Sequence, residues 1–166
     1  IKQFKRVIKP SGSIVIDIGG AWNKGLPTKS IYQYKLLIMM VEELGLHLIH
    51  DYYWWNPSKL PTPAEWVTVR RIRVKDAVNN IFWLAKTPYP KSSNKRVLSP
   101  YSESMEKLLL NGYKPRKRPS GHDISNKFQT DNKGAIPPNL LVVANTSSSD
   151  PYVKYCKENK IKIHDA

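Results

Sequence analysis

Asp17 lies near the end of the apolar run "SIVIDIGG", residues 13–20, and an acid there has two uses. It can accept hydrogen bonds from a ligand at a sheet edge, or it can cap the turn made by Gly19 and Gly20. The paired glycines are no G-x-G-x-x-G, so no dinucleotide site follows from them. The lone Cys156 sits in "KYCKENK", among lysines and away from any strand end, which is a poor setting for a nucleophile and leaves no internal disulfide. His47 and His50 stand three apart on a strand-like run and face opposite sides, while His122 and His164 are isolated, so no metal site is expected.

The other chemistry is cationic. The chain has 166 residues, 27 Lys+Arg against 13 Asp+Glu, and a formal charge of +14. The excess is uneven: +4 over residues 1–50, +9 over 51–120 and +1 over 121–166. A polyanionic partner is implied, with its contacts in the middle of the chain. Two blocks carry the charge. "RRIRVK", residues 70–75, alternates Ile72 and Val74 with Arg71, Arg73 and Lys75, the pattern of a strand with one basic face; Lys59, Arg70 and Trp66 lie close by in sequence. "KPRKRPSGHDIS" joins Arg116 and Arg118 to Ser120 and His122, side chains able to contact phosphates and read base edges. The bland alternative for each block is a solvated basic surface.

Positioning these groups requires ordered elements. Phe4, Val7 and Ile8 have helical spacing, and "SIVIDIGG" reads as a strand buried on both faces of a parallel sheet. Ser30 can cap a helix whose stripe is Ile31, Tyr34, Ile38 and Val41, widened by Leu37, Met40 and Leu44 and ended by Gly45. The strand "LHLIHDYYWW" completes a βαβ unit. Its four consecutive aromatics read mostly as core, and Asn56-Pro57 stops the strand at the sheet's carboxyl edge. "NNIFWLAK" is a further strand, and "YSESMEKLLLNG" a helix capped by Ser102. No apolar run approaches the roughly 18 residues of a membrane span, and "IKQFKRVIKP" has no signal-peptide core, so a cytoplasmic location is expected.

Taken together, "IKPSGSIVIDIGG", "SIYQYKLLIMMVEELG", "DYYWWNPSKLPTPAEWV", "RRIRVKDAVNNIFWLAKT", "RPSGHDIS" and "GAIPPNLL" resemble the middle of bacterial type II DNA methyltransferases that modify the exocyclic amine of cytosine. The resemblance runs in order over essentially the whole chain. It implies the permuted group of these enzymes, in which the catalytic motif precedes the cofactor motif. The fold implied is an α/β, Rossmann-like methyltransferase sheet, here its later strands, with an irregular target-recognition region. Residues 1–87 would be the second half of the catalytic domain, with a DNA-facing insertion at 56–78. Residues 88–160 would be the recognition region, and 161–166 the start of a cofactor-side motif.

The resemblance further implies S-adenosylmethionine as methyl donor, duplex DNA as partner and a restriction-modification context. It places Asp17 beside the catalytic loop, where it would polarise the target amine. DNA contacts would fall to Lys59, Arg70, Arg71, Arg73, Lys75, Arg116, Arg118, Ser120 and His122. The family's Ser-Pro-Pro-aromatic loop and Gly-rich cofactor strand are not in this sequence, so the chain is expected to be an inactive fragment, lacking most of the cofactor site. Adenine N6 methylation and a non-catalytic nucleic-acid-binding module are the alternative readings.

Overall fold

The computed structural model describes residues 2–112, 130–144 and 151–159. They contain helix α1 (Lys2–Val7), strand β1 (Ser13–Gly19), helix α2 (Tyr32–Ile38), strand β2 (His47–Trp55), strand β3 (Val78–Ala85), helix α3 (Glu103–Asn111), strand β4 (Leu140–Val142) and helix α4 (Pro151–Glu158). Two compact units result, Ile1–Lys91 with Asn139–Ala166, and Ser92–Pro138. Residues 139–144 thus return to the first unit, although they fall inside the stretch assigned from sequence to recognition.

The first unit is a mixed four-stranded sheet in the order β1-β3-β2-β4. β1 and β2 run parallel to each other, as a βαβ unit requires, but β3 lies between them and pairs antiparallel with both. The expected purely parallel pairing is thereby corrected: the connection from β2 to β3 returns along the sheet, so β3 enters in the opposite direction. β4 adds parallel to β2, with Tyr53, Trp54 and Trp55 opposite Leu140, Leu141 and Val142.

One face of this sheet holds the core. Ile14, Ile16 and Ile18 of β1 and Phe82 and Leu84 of β3 pack with Met40 and Leu46, flanked by Leu36, Leu37, Met39, Val41 and Leu44. The expectation that β1 is buried on both faces does not hold among the described residues. Its exposure alternates, and Val15, on the opposite face, is 64% exposed. The helix also turns differently from a regular 3.6-residue repeat. α2 runs on into a π-helical stretch, Met39–Glu43, and Leu44 N–H donates to Met39 O at 3.1 Å. Of the expected stripe, Leu37 and Val41 pack on the core, and the buried face also carries Gln33. Met40 is buried and Leu44 packs on the core, while Ile31, Tyr34 and Ile38 are exposed. Ser30 still serves the first turn, its hydroxyl accepting from Tyr32 N–H at 3.3 Å, and Gly45 takes φ +57° as the chain leaves the helix.

In the second unit the Ser102 hydroxyl accepts from Met105 N–H and caps α3. A bridge joins Ser99 to Ala135, and Tyr101 donates to Asp131 Oδ1 while accepting from Asn132 N–H at 2.8 Å. The Lys133 ammonium beside Asp131 holds that carboxyl below the usual carboxylate range.

Candidate active site and basic edge

The carboxyl ends of β1 and β2 and the amino end of β3 meet at one edge of the sheet, because β3 is antiparallel to both. Asp17 stands there, exposed, on the face opposite the core. In the β1–β3 register Gly19 faces Asn79 and Asp17 faces Ile81, so the side chains of Asp17 and Asn79 are diagonal neighbours on that face. Asn79 Nδ2 donates to Asp17 Oδ1 at 3.1 Å, and Asn79 Oδ1 accepts from Lys59 Nζ at 3.4 Å. Trp54, Asn56, Lys59 and Asn79 line a recess of about 160 Å³ beside them.

The abrupt end of the aromatic strand explains how Lys59 reaches this place. Asn56 is only 4% exposed; its N–H donates to Ala77 O at 2.9 Å and its side-chain oxygen accepts from Ser58 N–H at 3.1 Å. That turn, followed by Pro57 with no N–H to extend the ladder, folds the chain back over the edge. The aromatics themselves are not the interior of a two-sided layer: Tyr53 and Trp55 are 39% and 41% exposed. Trp54 fixes its ring by donating Nε1–H to Val143 O at 2.8 Å. Asp51 accepts from the Tyr53 hydroxyl at 2.7 Å, which holds the Asp51 carboxyl below its ordinary range and raises the Tyr53 phenol.

The basic insertion does not form the strand its alternation suggested. Glu65–Val69 is a short π-helical turn, and residues 70–77 that follow are irregular, with Arg71 at φ +55° and Ile72 and Val74 exposed. Alternation of apolar and basic residues is equally compatible with an irregular segment held by side chains. Asp76 does the holding. It accepts from Trp22 Nε1 and from Lys29 Nζ, each at 2.6 Å, and so ties the insertion to the loop after β1. That loop is a narrow turn closed by the Trp22–Lys29 bridge, and Arg73 Nε donates to its Pro27 O at 3.1 Å. Replacing Asp76 by alanine leaves the half-buried Trp22 N–H without its acceptor and is expected to cost about 1–3 kcal/mol. Faster amide exchange confined to residues 21–30 and 70–77 would register the released brace; unchanged exchange there would refute it.

The structure thus distributes the cations of the insertion unevenly. Lys59 belongs to the recess, and Lys75 Nζ donates to Lys59 O at 3.1 Å. Arg70 pairs with Glu65 at 2.6 Å and stacks over Trp66 at 5.2 Å, so its charge is partly committed. Arg71 and Lys24 are exposed and have no charged or hydrogen-bonding partner among the described residues. Lys24, at the tip of the turn after β1, was not among the residues singled out from sequence. Arg116, Arg118, Ser120 and His122 lie outside the described residues. Asn79 also escaped the sequence reading, though a polar side chain inside a strand is unusual enough to ask for a partner.

Whether these residues could hold S-adenosylmethionine can be judged from the recess. At about 160 Å³ it is smaller than the roughly 300–1,000 Å³ of sites that enclose small-molecule ligands. This recess by itself therefore does not enclose the cofactor; it is of a size for the edge of a base. Among the described residues no three His, Cys, Asp or Glu side chains group to hold a metal ion, and no helix is long and apolar enough to cross a membrane.

The mixed α/β sheet, with an antiparallel strand inserted between two parallel ones, has the fold of a known methyltransferase. It matches the solved PvuII DNA methyltransferase (cytosine-N4-specific) with a TM-score of 0.62 and 42% identity, over 95% of this chain and 44% of that one. A family model described as DNA methylase matches residues 1–165, and the chain belongs to that family. It is also 51% identical to the type II methyltransferase M.PvuII of Proteus hauseri over 168 aligned residues, 99% of this chain and 50% of the relative. The chain spans about half the length of these relatives.

Proposed function

We propose that the intact protein carrying these residues is a site-specific DNA methyltransferase that transfers a methyl group from S-adenosylmethionine to the exocyclic N4 of cytosine in duplex DNA. In a restriction-modification pair it would protect the host site from cleavage. The observation that carries this reading is the exposed Asp17 beside a recess sized for a base edge, at the sheet edge where the basic insertion gathers.

The chemistry asks for such an arrangement. A cytosine amine is a poor nucleophile because its lone pair is delocalised into the ring. An oriented carboxylate that accepts one amine hydrogen favours the pyramidal amine, in which the lone pair leaves the ring and points at the methyl group. Asp17 is offered that role. Trp54, on the same face, can stack against a base rotated out of the duplex, a rotation that costs a few kcal/mol. Lys24, Arg71 and Lys75 at the edge, with Arg116, Arg118, Ser120 and His122 in the proposed recognition region at 88–160, would supply phosphate and base contacts. Six to ten phosphate contacts would make affinity fall about 10³ to 10⁵-fold between 50 and 200 mM salt.

The reading is tested by incubating the intact protein with duplex DNA and S-adenosylmethionine labelled in its methyl group, then locating the label by nucleoside. Label in N4-methylcytosine supports it. Label in N6-methyladenine moves the target atom, and duplex binding with no transfer favours a recognition module. The 166-residue chain by itself is expected to bind duplex DNA without transferring a methyl group, because the Ser-Pro-Pro-aromatic loop and Gly-rich strand of the family it resembles have no match in its sequence. Turnover by the purified chain would overturn that expectation.

A further inference from the structure

We propose that Asn79 is a positioning residue for Asp17, clamped between the Asp17 carboxylate and the Lys59 ammonium so that one carboxylate oxygen is held and the other is presented to the target amine. The inference rests on the methyltransferase reading above and deepens it.

The direction of the clamp follows from hydrogen-bond chemistry. An ionised carboxylate only accepts, and an ammonium only donates. A group bridging the two must donate toward Asp17 and accept toward Lys59, and among the side chains that could stand at this position a carboxamide does both from one planar head. Asn79 is oriented that way, with Nδ2 at 3.1 Å from Asp17 Oδ1 and Oδ1 at 3.4 Å from Lys59 Nζ. The charges at both ends oppose rotation of the amide by 180°, which would set oxygen against oxygen and nitrogen against nitrogen. Asp17 Oδ2 is left without a hydrogen-bond partner among the described residues, and is the oxygen available to a ligand.

Two backbone features make room for the clamp. Gly19 lies directly across from Asn79 in the ladder, and a Cβ there would stand 3.1 Å from Asn79 Oδ1, tighter than ordinary packing tolerates. The bare glycine lets the amide lie flat along the sheet toward Asp17. The Asn56 turn brings Lys59 back over the edge from the other side, with Lys59 N–H donating to Asn56 O at 3.3 Å. Asp17 and Lys59 are thus coupled through Asn79 rather than paired directly. A direct ion pair would occupy the carboxylate that has to accept the amine; the amide relay fixes its orientation and leaves an oxygen free.

The test uses the intact protein, measuring single-turnover methyl transfer at saturating duplex with duplex affinity and melting temperature alongside. Asn79→Ala and Asn79→Asp are each made in the parent and in an Asp17→Ala background. Asn79→Ala is expected to slow transfer about 10–100-fold with duplex affinity kept. Asn79→Asp is nearly isosteric and keeps its acceptor toward Lys59, yet cannot donate to Asp17, so it is expected to slow transfer as much. In the Asp17→Ala background either change should add less than about twofold, because the residue it acts through is gone. Parent-like transfer by Asn79→Asp, or equal losses in both backgrounds, would overturn the proposal. If the parent transfers methyl groups and Asp17→Ala slows it while the Asn79 variants do not, the methyltransferase reading stands and only this inference falls. A parent with no transfer removes both.

Discussion

Asp17→Ala in the intact protein is expected to slow methyl transfer about 10²–10³-fold, the loss typical of removing one preorganised hydrogen-bonding group from a reaction centre, or about 2.7–4 kcal/mol of barrier. Duplex affinity should stay within a factor of about two. Asp17 is exposed at the sheet edge, and its one side-chain hydrogen bond among the described residues is to Asn79, so truncating it takes no core contact and strands no buried donor. The fold therefore has little reason to respond, and Asn79 keeps Lys59 as a partner. Asp17→Asn sharpens the result. It preserves size but replaces one accepting oxygen by a donor, so it can no longer hold both Asn79 and an incoming amine as acceptor. If Asp17→Asn transfers like the parent while Asp17→Ala does not, the residue fills space rather than accepting hydrogens. If both transfer like the parent, Asp17 does no more than cap the turn at Gly19.

Much of the frame was legible in the chain, and the gaps have physical causes. β1, α2 and β2 follow from apolar periodicity and from punctuation at Ser30, Gly45 and Asn56-Pro57. Asp17 could be singled out as a candidate because its strand ends two residues later and ligands in such sheets gather at strand ends. The insertion of β3 between β1 and β2 could not be read locally, since hydrophobic runs do not encode strand direction. On α2 the expected stripe holds in part: Leu37, Met40, Val41 and Leu44 pack on the core, but Ile31, Tyr34 and Ile38 are exposed, because in its first turns the helix buries the face that carries Gln33 and Leu37. The alternation of Arg71, Ile72, Arg73 and Val74 suggested a strand, but Asp76 pins the segment through Trp22 and Lys29, contacts 54 and 47 residues away along the chain. Asn79 was invisible for the same reason. It stands 62 residues from Asp17, and only the β1–β3 register makes them neighbours.

β3 carries both halves of the molecule's logic, and a second substitution separates them. Leu84→Ala is expected to destabilise the first unit by about 2–5 kcal/mol in urea unfolding, the range for deleting a leucine from a packed core. Leu84 is fully buried against Met40, Leu46 and Phe82, on the strand that pairs with both β1 and β2. Neither neighbouring strand can close over the lost volume without giving up its ladder. Val15→Ala, one strand away on the opposite face, is the matched control. Val15 is 64% exposed, and its truncation should change stability by no more than about 0.5 kcal/mol. Equal effects at the two sites would mean that the core is not confined to the helix-covered face. Alternation along β3 puts Leu84 on that face and Asn79 on the other, so below its unfolding midpoint Leu84→Ala should keep the Asn79–Asp17 contact and most methyl transfer. A loss of transfer as deep as that of Asp17→Ala, in a variant still folded, would show that the core reaches through the strand to set the geometry of the edge.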